Sequence, residues 1–383
     1  MTGPGVPRPR GAGASRVVLA HPRRDGEFAH EAASQEALAR AIAGLLGCEF
    51  MAERDFARLD HAEPPYCVPG DTLVDAERMA DPWLAGIRDE RDFFGGMVPR
   101  AFIATKAITH ALIDPQARRP AGWSEEFGRD VRAAVLRGAT VFSSADARRA
   151  GRILLHAGPI RAKSTQASGG RGQRVVRDAA ALDEAIGEYE ERTLAQCGLV
   201  FEEHLEDVRT YSVGRVCVGN LVSTYVGTQS LTSDGAGAQV YGGSELRLVR
   251  GDFEALLASA LSEDEREAAR LALAYDRAAL RCYPGLVASR RNYDVVRGTD
   301  AAGRIRYGVL EQSWRAGGAS MAEACALLAF HERPDLRSVH AYTCERYGEA
   351  HTPPAGARLV YRGEDGRGEP MSKYAGISSY GDD

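Results

Sequence analysis

Lysine is almost absent from this sequence. Of its 48 basic residues, all but Lys106, Lys163 and Lys373 are arginine. A coding bias toward arginine accounts for that imbalance without any functional cause. Each remaining lysine is still a candidate for a place that needs a compact ammonium rather than a planar fork, as between phosphate oxygens. The alternative for any one of them is chance survival on a solvated surface. Positive charge is not in excess: 53 acidic residues give a net charge of −5, so no basic face able to hold nucleic acid by charge alone is expected. Long apolar runs are missing as well. Stretches such as Ala324 to Phe330 fall far short of the roughly 20 residues a membrane helix needs, and no membrane association is expected. Seven cysteines, an odd number without a C-x-x-C pair, point to free thiols in a reducing cytoplasm. The Gly/Pro/Arg-rich residues 1–15 lack an apolar core and read as a disordered arm rather than a signal peptide.

What is present is ordinary for a folded chain. The 383 residues are 44% hydrophobic and 26% charged, which fits two or three domains of about 150 residues each. A valine-containing run at 16–21 predicts a strand, 27–46 a helix stopped by Gly47, and 48–52 and 72–74 further strands, together a small α/β unit. Residues 95–99 (GGMVP) predict a break, and 102–113 a helix carrying Lys106. Helical patterns follow at 127–137, 144–157 and 180–193, with strands at 140–142 and 198–202 and a hairpin from 159–163 to 173–177. Antiparallel strands are expected over 210–229, a Gly-rich loop over 233–243 and a long helical region over 253–280. Two strands (289–296 and 305–311) and a helix (321–330) come next, and beyond about Tyr347 a lightly structured tail.

Three stretches can carry chemistry. In the first (161–173, RAKSTQASGGRGQ), Lys163 ends a strand and a turn containing Gly169, Gly170, Arg171 and Gly172 follows. Glycines let backbone N–H groups approach an anion closely. No G-x-x-x-x-G-K-[ST] is present, and no G-x-G-x-x-G follows a strand, so neither a P-loop nor a Rossmann dinucleotide site is supported. A plain glycine-rich β-turn is the other reading. In the second (199–206, LVFEEHLE), a hydrophobic strand runs into Glu202, Glu203, His204 and Leu205. Its backbone can meet an adenine edge, or it can simply end in a solvated acidic turn. In the third, 290–296 (RRNYDVV) and 308–318 (GVLEQSWRAGG) predict antiparallel strands with Asp294 and Glu311 on one side. Facing carboxylates in an apolar stretch call for a cation, and hard oxygen ligands select Mg²⁺. Arg315 and the pair Arg290 and Arg291 would add positive charge for phosphate or a carboxylate. The alternative is an exposed hairpin of alternating polar residues. His21, closing the first strand, is read as structural, with a substrate contact the alternative, and Lys373 as exposed, with a place in the substrate pocket the alternative.

The order of these parts resembles the ATP-grasp superfamily: a lysine on a helix, a lysine with a glycine loop, a strand ending in Glu-Glu, then Asp…Glu-x-x-x-Arg strands. The resemblance spans about residues 106–318. The hinge is similar to that of biotin carboxylase-type members, in which an arginine follows Glu-x-x-Leu by four residues, as Arg209 follows Leu205. Over its whole length the chain resembles a bacterial ATP-grasp-like family known as a domain of unknown function. The resemblance implies an α+β fold, two subdomains gripping ATP (116–200 as lid and 201–335 as core). A small Rossmann-like α/β domain (16–115) would stand before them and a C-terminal extension (336–383) after.

It further implies Lys106 on the α-phosphate, Lys163 as the second phosphate lysine, and Gly169, Gly170, Arg171 and Gly172 in a loop over the triphosphate. Glu202 falls on the hinge acid, with the backbone of Glu203, His204 and Leu205 against adenine. Asp294 and Glu311 fall on the metal ligands, and Arg315 on the transferred phosphoryl group. The usual Glu-x-Asn reads Glu311-Gln312-Ser313 here, which puts Ser313 at the second metal position and in place of a better oxygen ligand. Gln312 should point to the opposite strand face. The Asp294 to Glu311 separation is somewhat long, and a tip at 299–303 would absorb it. The expected activity is an ATP- and Mg²⁺-dependent ligase (Mn²⁺ the alternative metal) joining a carboxylate to an amine or thiol through an acyl-phosphate. A small-molecule kinase and a non-catalytic nucleotide-binding protein are the rivals. The expected partners are small carboxylate and amine substrates, and a homodimer is the default assembly.

Overall fold

A computed structural model describes residues 16–21, 28–52, 55, 64–167, 172–235, 237, 239–348 and 352–381; the arm expected at 1–15 lies outside them. β1 (Val17–His21) runs parallel between β2 (Glu49–Met51) and β3 (Tyr66–Pro69). Between β1 and β2, α1 (Ala29–Leu46) buries Leu38, Ala41, Ile42 and Leu45, the three-to-four-residue spacing of one helical face. It ends at Gly47, whose φ of 63° is left-handed and whose N–H reaches the carbonyls of Ala43 and Gly44. β4 (Leu73–Val74), α2 (Asp75–Ala80) and β5 (Gly96–Val98) follow. The Gly-Gly stretch expected to be a break is therefore partly strand, paired with β4.

The helix expected over 102–113 is replaced by two 3₁₀ turns, Ala101–Ala104 and Lys106–Ile108. Thr105 between them is extended, and its side chain accepts from Ala107 N. Gln312 Nε2 donates to the carbonyls of Ile103 (2.9 Å) and Thr105 (2.7 Å). Those carbonyls are thus tied to a neighbouring strand instead of a following helical turn.

The next portion holds α3 (Glu125–Asp130), β6 (Gly138–Val141), α4 (Ser144–Leu155), β7 (Ile160–Ser164) and β8 (Gln173–Val176). It continues with α5 (Ala179–Gly187), α6 (Glu191–Cys197) and β9 (Leu199–Glu203). Its antiparallel sheet has the order β6-β9-β7-β8. Ala147, Ala150 and Leu154 of α4 and Leu182, Ala185 and Ile186 of α5 pack on Ile160, Ala162 and Phe201 of that sheet.

An eight-stranded antiparallel sheet completes the chain, in the order β15-β14-β10-β11-β12-β16-β18-β17. Its elements are β10 (Glu206–Val218), β11 (Leu221–Ser233), β12 (Gln239–Arg250), α7 (Phe253–Ala258), α8 (Glu263–Cys282) and β13 (Val287–Ala288), which joins β5. After these come β14 (Arg290–Thr299), β15 (Ile305–Ser313), α9 (Ser320–Glu332), β16 (Ser338–Tyr347), β17 (Arg358–Glu364) and β18 (Pro370–Gly381). α8 starts at a capping box in which Ser262 and Glu265 exchange hydrogen bonds. It lays Ala268, Ala272, Tyr275 and Ala279 against Tyr211, Val213, Tyr293 and Val295. α9 covers the other sheet face, with Ala322, Ala326 and Phe330 on Tyr225, Leu246, Leu248 and Val339. Two expectations fail here. The loop expected over 233–243 is strand from Gln239 onward, and the lightly structured tail is two strands, β18 lying between β16 and β17. Among the described residues no helix is long and apolar enough to cross a membrane.

Candidate active site

Strands β14 and β15 set the centre of the site. Their register places Asp294 opposite Glu311, Tyr293 opposite Gln312 and Asn292 opposite Ser313. Alternation along a strand puts Asn292, Asp294, Glu311 and Ser313 on one face, as expected for the two acids. The long separation is resolved by the turn at 300–304 and by a bulge, because Val309 rather than Leu310 pairs with Val295. Gln312 does point to the other face, where it accepts from Tyr275 OH at 2.9 Å.

Burial, and next to it the charge of Glu311, push the Asp294 carboxyl up to about 6. Gln229 Nε2 (3.1 Å) and Asn292 Nδ2 (3.2 Å) both donate to Asp294 Oδ1. Asn292 Oδ1 in turn accepts from Ser212 Oγ (2.7 Å) and Tyr225 OH (3.0 Å), so it faces the sheet and orients Asp294. Lys106, only 4% exposed, places Nζ 2.8 Å from Glu311 Oε2 and donates to the carbonyl of Ala167 at 2.8 Å. Arg315 Nε lies 3.9 Å from Asp71 Oδ1, and Nη1 donates to the carbonyl of Ala316 at 3.0 Å.

Lys163 and Glu202 form a second, enclosed centre. Both are buried and their side chains are ion-paired across β7 and β9, with His110 Nε2 3.3 Å from Glu202 Oε2. Burial alone would raise the Glu202 carboxyl, but the Lys163 ammonium and His110 overcome it and hold the group below the ordinary carboxylate range. His110 was not singled out from sequence; it stands four residues after Lys106, and no motif marks it. At the hinge, Glu203 accepts from Arg137 N (3.1 Å) and pairs with Arg306 Nη2 (3.2 Å). Two of the three backbone amides expected at adenine already donate elsewhere: Glu203 N to Arg137 O (2.8 Å) and His204 N to Pro159 O (3.0 Å). The Leu205 side chain is buried with Leu136 and Val296.

A cavity of about 690 Å³ opens on the first centre, lined by Lys106, Asp294, Glu311, Ser313 and Arg315. Lys163, Glu202 and Gly172 are not on its wall. Gly172 closes the β7–β8 hairpin with a φ of 61°, where a Cβ would come 2.8 Å from that of Ala167. Gly169, Gly170 and Arg171 lie outside the described residues. The arginine pair does not serve as free positive charge. Arg290 is buried against Glu323 (Nη2 to Oε1, 2.8 Å), and Arg291 pairs with Asp276 of α8 at 2.7 Å on the opposite sheet face. Lys373, expected to be exposed, lines the cavity and is paired with Glu345 at 3.0 Å. Its wall position depends on strand pairing that the sequence did not reveal.

Residues 18–375 match the family described as "Protein of unknown function (DUF3182)". No curated protein matches the chain in sequence. Among solved structures it is similar to phosphoribosylamine–glycine ligase from Thermotoga maritima, with 12% identity over 96% of this chain and 93% of that one and a TM-score of 0.50. It is also similar to biotin carboxylase from Campylobacter jejuni (12% identity, 95% and 87% covered, TM-score 0.49). A third is carboxyaminoimidazole ribonucleotide synthase from Aspergillus clavatus, solved with ATP (14% identity, 95% and 94% covered, TM-score 0.48). The Thermotoga maritima likeness shows a shared mixed α+β fold.

Proposed function

This chain belongs to the DUF3182 family, and we propose that it is an ATP-grasp-type, ATP- and Mg²⁺-dependent ligase joining a carboxylate to an amine through an acyl-phosphate. The observation that carries this reading is the pair Asp294 and Glu311, opposed across one ladder rung with Lys106 against Glu311, on a cavity of about 690 Å³.

The donor set fits the metal. Two carboxylates face one another, the first with its proton affinity raised by burial and then by the second, and hard oxygen donors with like charge suit Mg²⁺. Asp294 and Glu311 would hold it, with Ser313 as a weaker third oxygen. Bound there, the ion would supply charge neutralisation to phosphate oxygens. Lys106 would exchange Glu311 for a phosphate oxygen, and Arg315 would steady the transferred phosphoryl group. Lys163, ion-paired with Glu202, is the second phosphate lysine in this reading. With Glu203 and His204 amides engaged, the Leu205 amide is the hinge donor assigned to a purine edge. An oxygen of the substrate carboxylate attacks the γ-phosphorus while the bond to the β-phosphate oxygen breaks and ADP leaves. The amine nitrogen then attacks the acyl carbon, inorganic phosphate departs and the nitrogen loses a proton to solvent. The test is ADP release from pooled carboxylates and amines. Release that needs both is expected, and turnover with an alcohol alone would instead mean a kinase.

A further inference from the structure

One end of the cavity is lined by residues that the acid pair and the phosphate lysines leave unused. Lys373 of β18 stands opposite Glu345 of β16 in register, and their side chains pair at 3.0 Å with each 12% exposed. α1 brings His30 to the same cavity. Its Nδ1 is buried and has no hydrogen-bond partner among the described residues. Burial, and after it the Lys373 charge, lower the proton affinity of His30. Tyr241 OH and Thr343 Oγ1, 2.9 Å apart, add hydroxyls to this wall.

A wall carrying one positive and one negative group selects for ligand charge. A ligand with a single charge must draw one member of the pair away and leave the other unpaired in a mostly enclosed place, which is costly. A ligand with both an ammonium and a carboxylate meets both at once. We propose that this end of the cavity is a substrate subsite for a small zwitterion, an amino-acid head group, with its carboxylate on Lys373 and His30 and its ammonium on Glu345. The proposal rests on the ligase reading in that the zwitterion is one of the two substrates. The subsite also accounts for the third lysine of an arginine-dominated chain, since a point charge can share itself between Glu345 and a ligand carboxylate.

The test is calorimetric titration of the full-length protein, with and without Mg²⁺ and a non-hydrolysable ATP analogue. The probes are the twenty protein amino acids, D-alanine and β-alanine, with acetate and ethylamine as singly charged controls. At least one zwitterion should bind tenfold or more tightly than both controls. Glu345→Gln or Lys373→Met should each cost that ligand tenfold or more, while analogue affinity stays within twofold. No zwitterion binding better than acetate and ethylamine, or unchanged affinity in the variants, would overturn the proposal. If Lys373→Met does not fold, Glu345→Gln, which keeps the side-chain shape, decides. The analogue titration on the wild type separates the two readings: zwitterion binding without analogue binding removes the ligase and keeps the subsite, and the reverse removes the subsite alone.

Discussion

Replacing Asp294 by asparagine should stabilise the metal-free protein at neutral pH. The carboxyl sits at about 6 in the folded chain against an ordinary 3.8, through burial and the Glu311 charge. Because the folded value is the higher one, the native state binds more protons between these limits. Stability therefore falls as pH rises through about 4 to 6, and the penalty is constant above that window. Two pK units at about 1.4 kcal/mol each amount to about 3 kcal/mol at pH 7.5 and about 1 kcal/mol at pH 4.5. Asparagine keeps an oxygen to accept from Gln229 Nε2 and Asn292 Nδ2, the two donors on Asp294 Oδ1, and removes the charge that faces Glu311. For 383 residues unfolding as one unit, at about 2.1 cal/mol/K per residue, 3 kcal/mol corresponds to about 4 °C. The assay is the thermal midpoint of wild type and Asp294→Asn in chelator from pH 4.5 to 8. A gain at pH 7.5 that shrinks toward pH 4.5 is expected. A lower midpoint at pH 7.5, or a gain independent of pH, would refute the like-charge account.

Arg290→Lys should destabilise by about 3–5 kcal/mol, because a single ammonium cannot reproduce the fork that binds Glu323 and the carbonyls of Ser313 and Arg315. An unchanged denaturant midpoint would contradict that. Ser313→Asn restores an amide oxygen opposite Asn292 and should lower the Mg²⁺ concentration needed for half-maximal nucleotide binding several-fold; no change would place Ser313 outside the metal site. Truncation after Tyr347 removes β17 and β18, and so strips β16 of one of its two partners and leaves it an edge strand beside β12. The truncated chain should lose its cooperative thermal transition, whereas a wild-type midpoint would show the two strands to be dispensable.

The acid pair was legible because period-two alternation and a hairpin-length separation decide which strand residues can face one another. The β7–β8 hairpin was legible for the same reason, with Lys163 paired to Gln173. What sequence could not show is partner choice over distance. Arg290 and Arg291 read as free positive charge, yet each meets an acid contributed by a helix, Glu323 of α9 and Asp276 of α8. Lys106 sits on a pattern that suits a helix, but tertiary bonds from Gln312 to the carbonyls of Ile103 and Thr105 override it. The C-terminal strands hide among glycine, proline and charge, and are ordered by pairing, β18 with β16 and β17 with β18. Lys373 and Glu345 become a cavity wall only through that pairing.

The central claim is tested most directly by calorimetric titration of a non-hydrolysable ATP analogue with Mg²⁺ into the wild type and Asp294→Asn. Because the variant is expected to be the more stable protein, lost binding cannot be put down to misfolding. Micromolar binding by the wild type, weakened at least about tenfold (roughly 1.4 kcal/mol) in the variant, is predicted. No binding by the wild type, or equal binding by both proteins, would contradict the assignment of this cavity to Mg²⁺ and ATP.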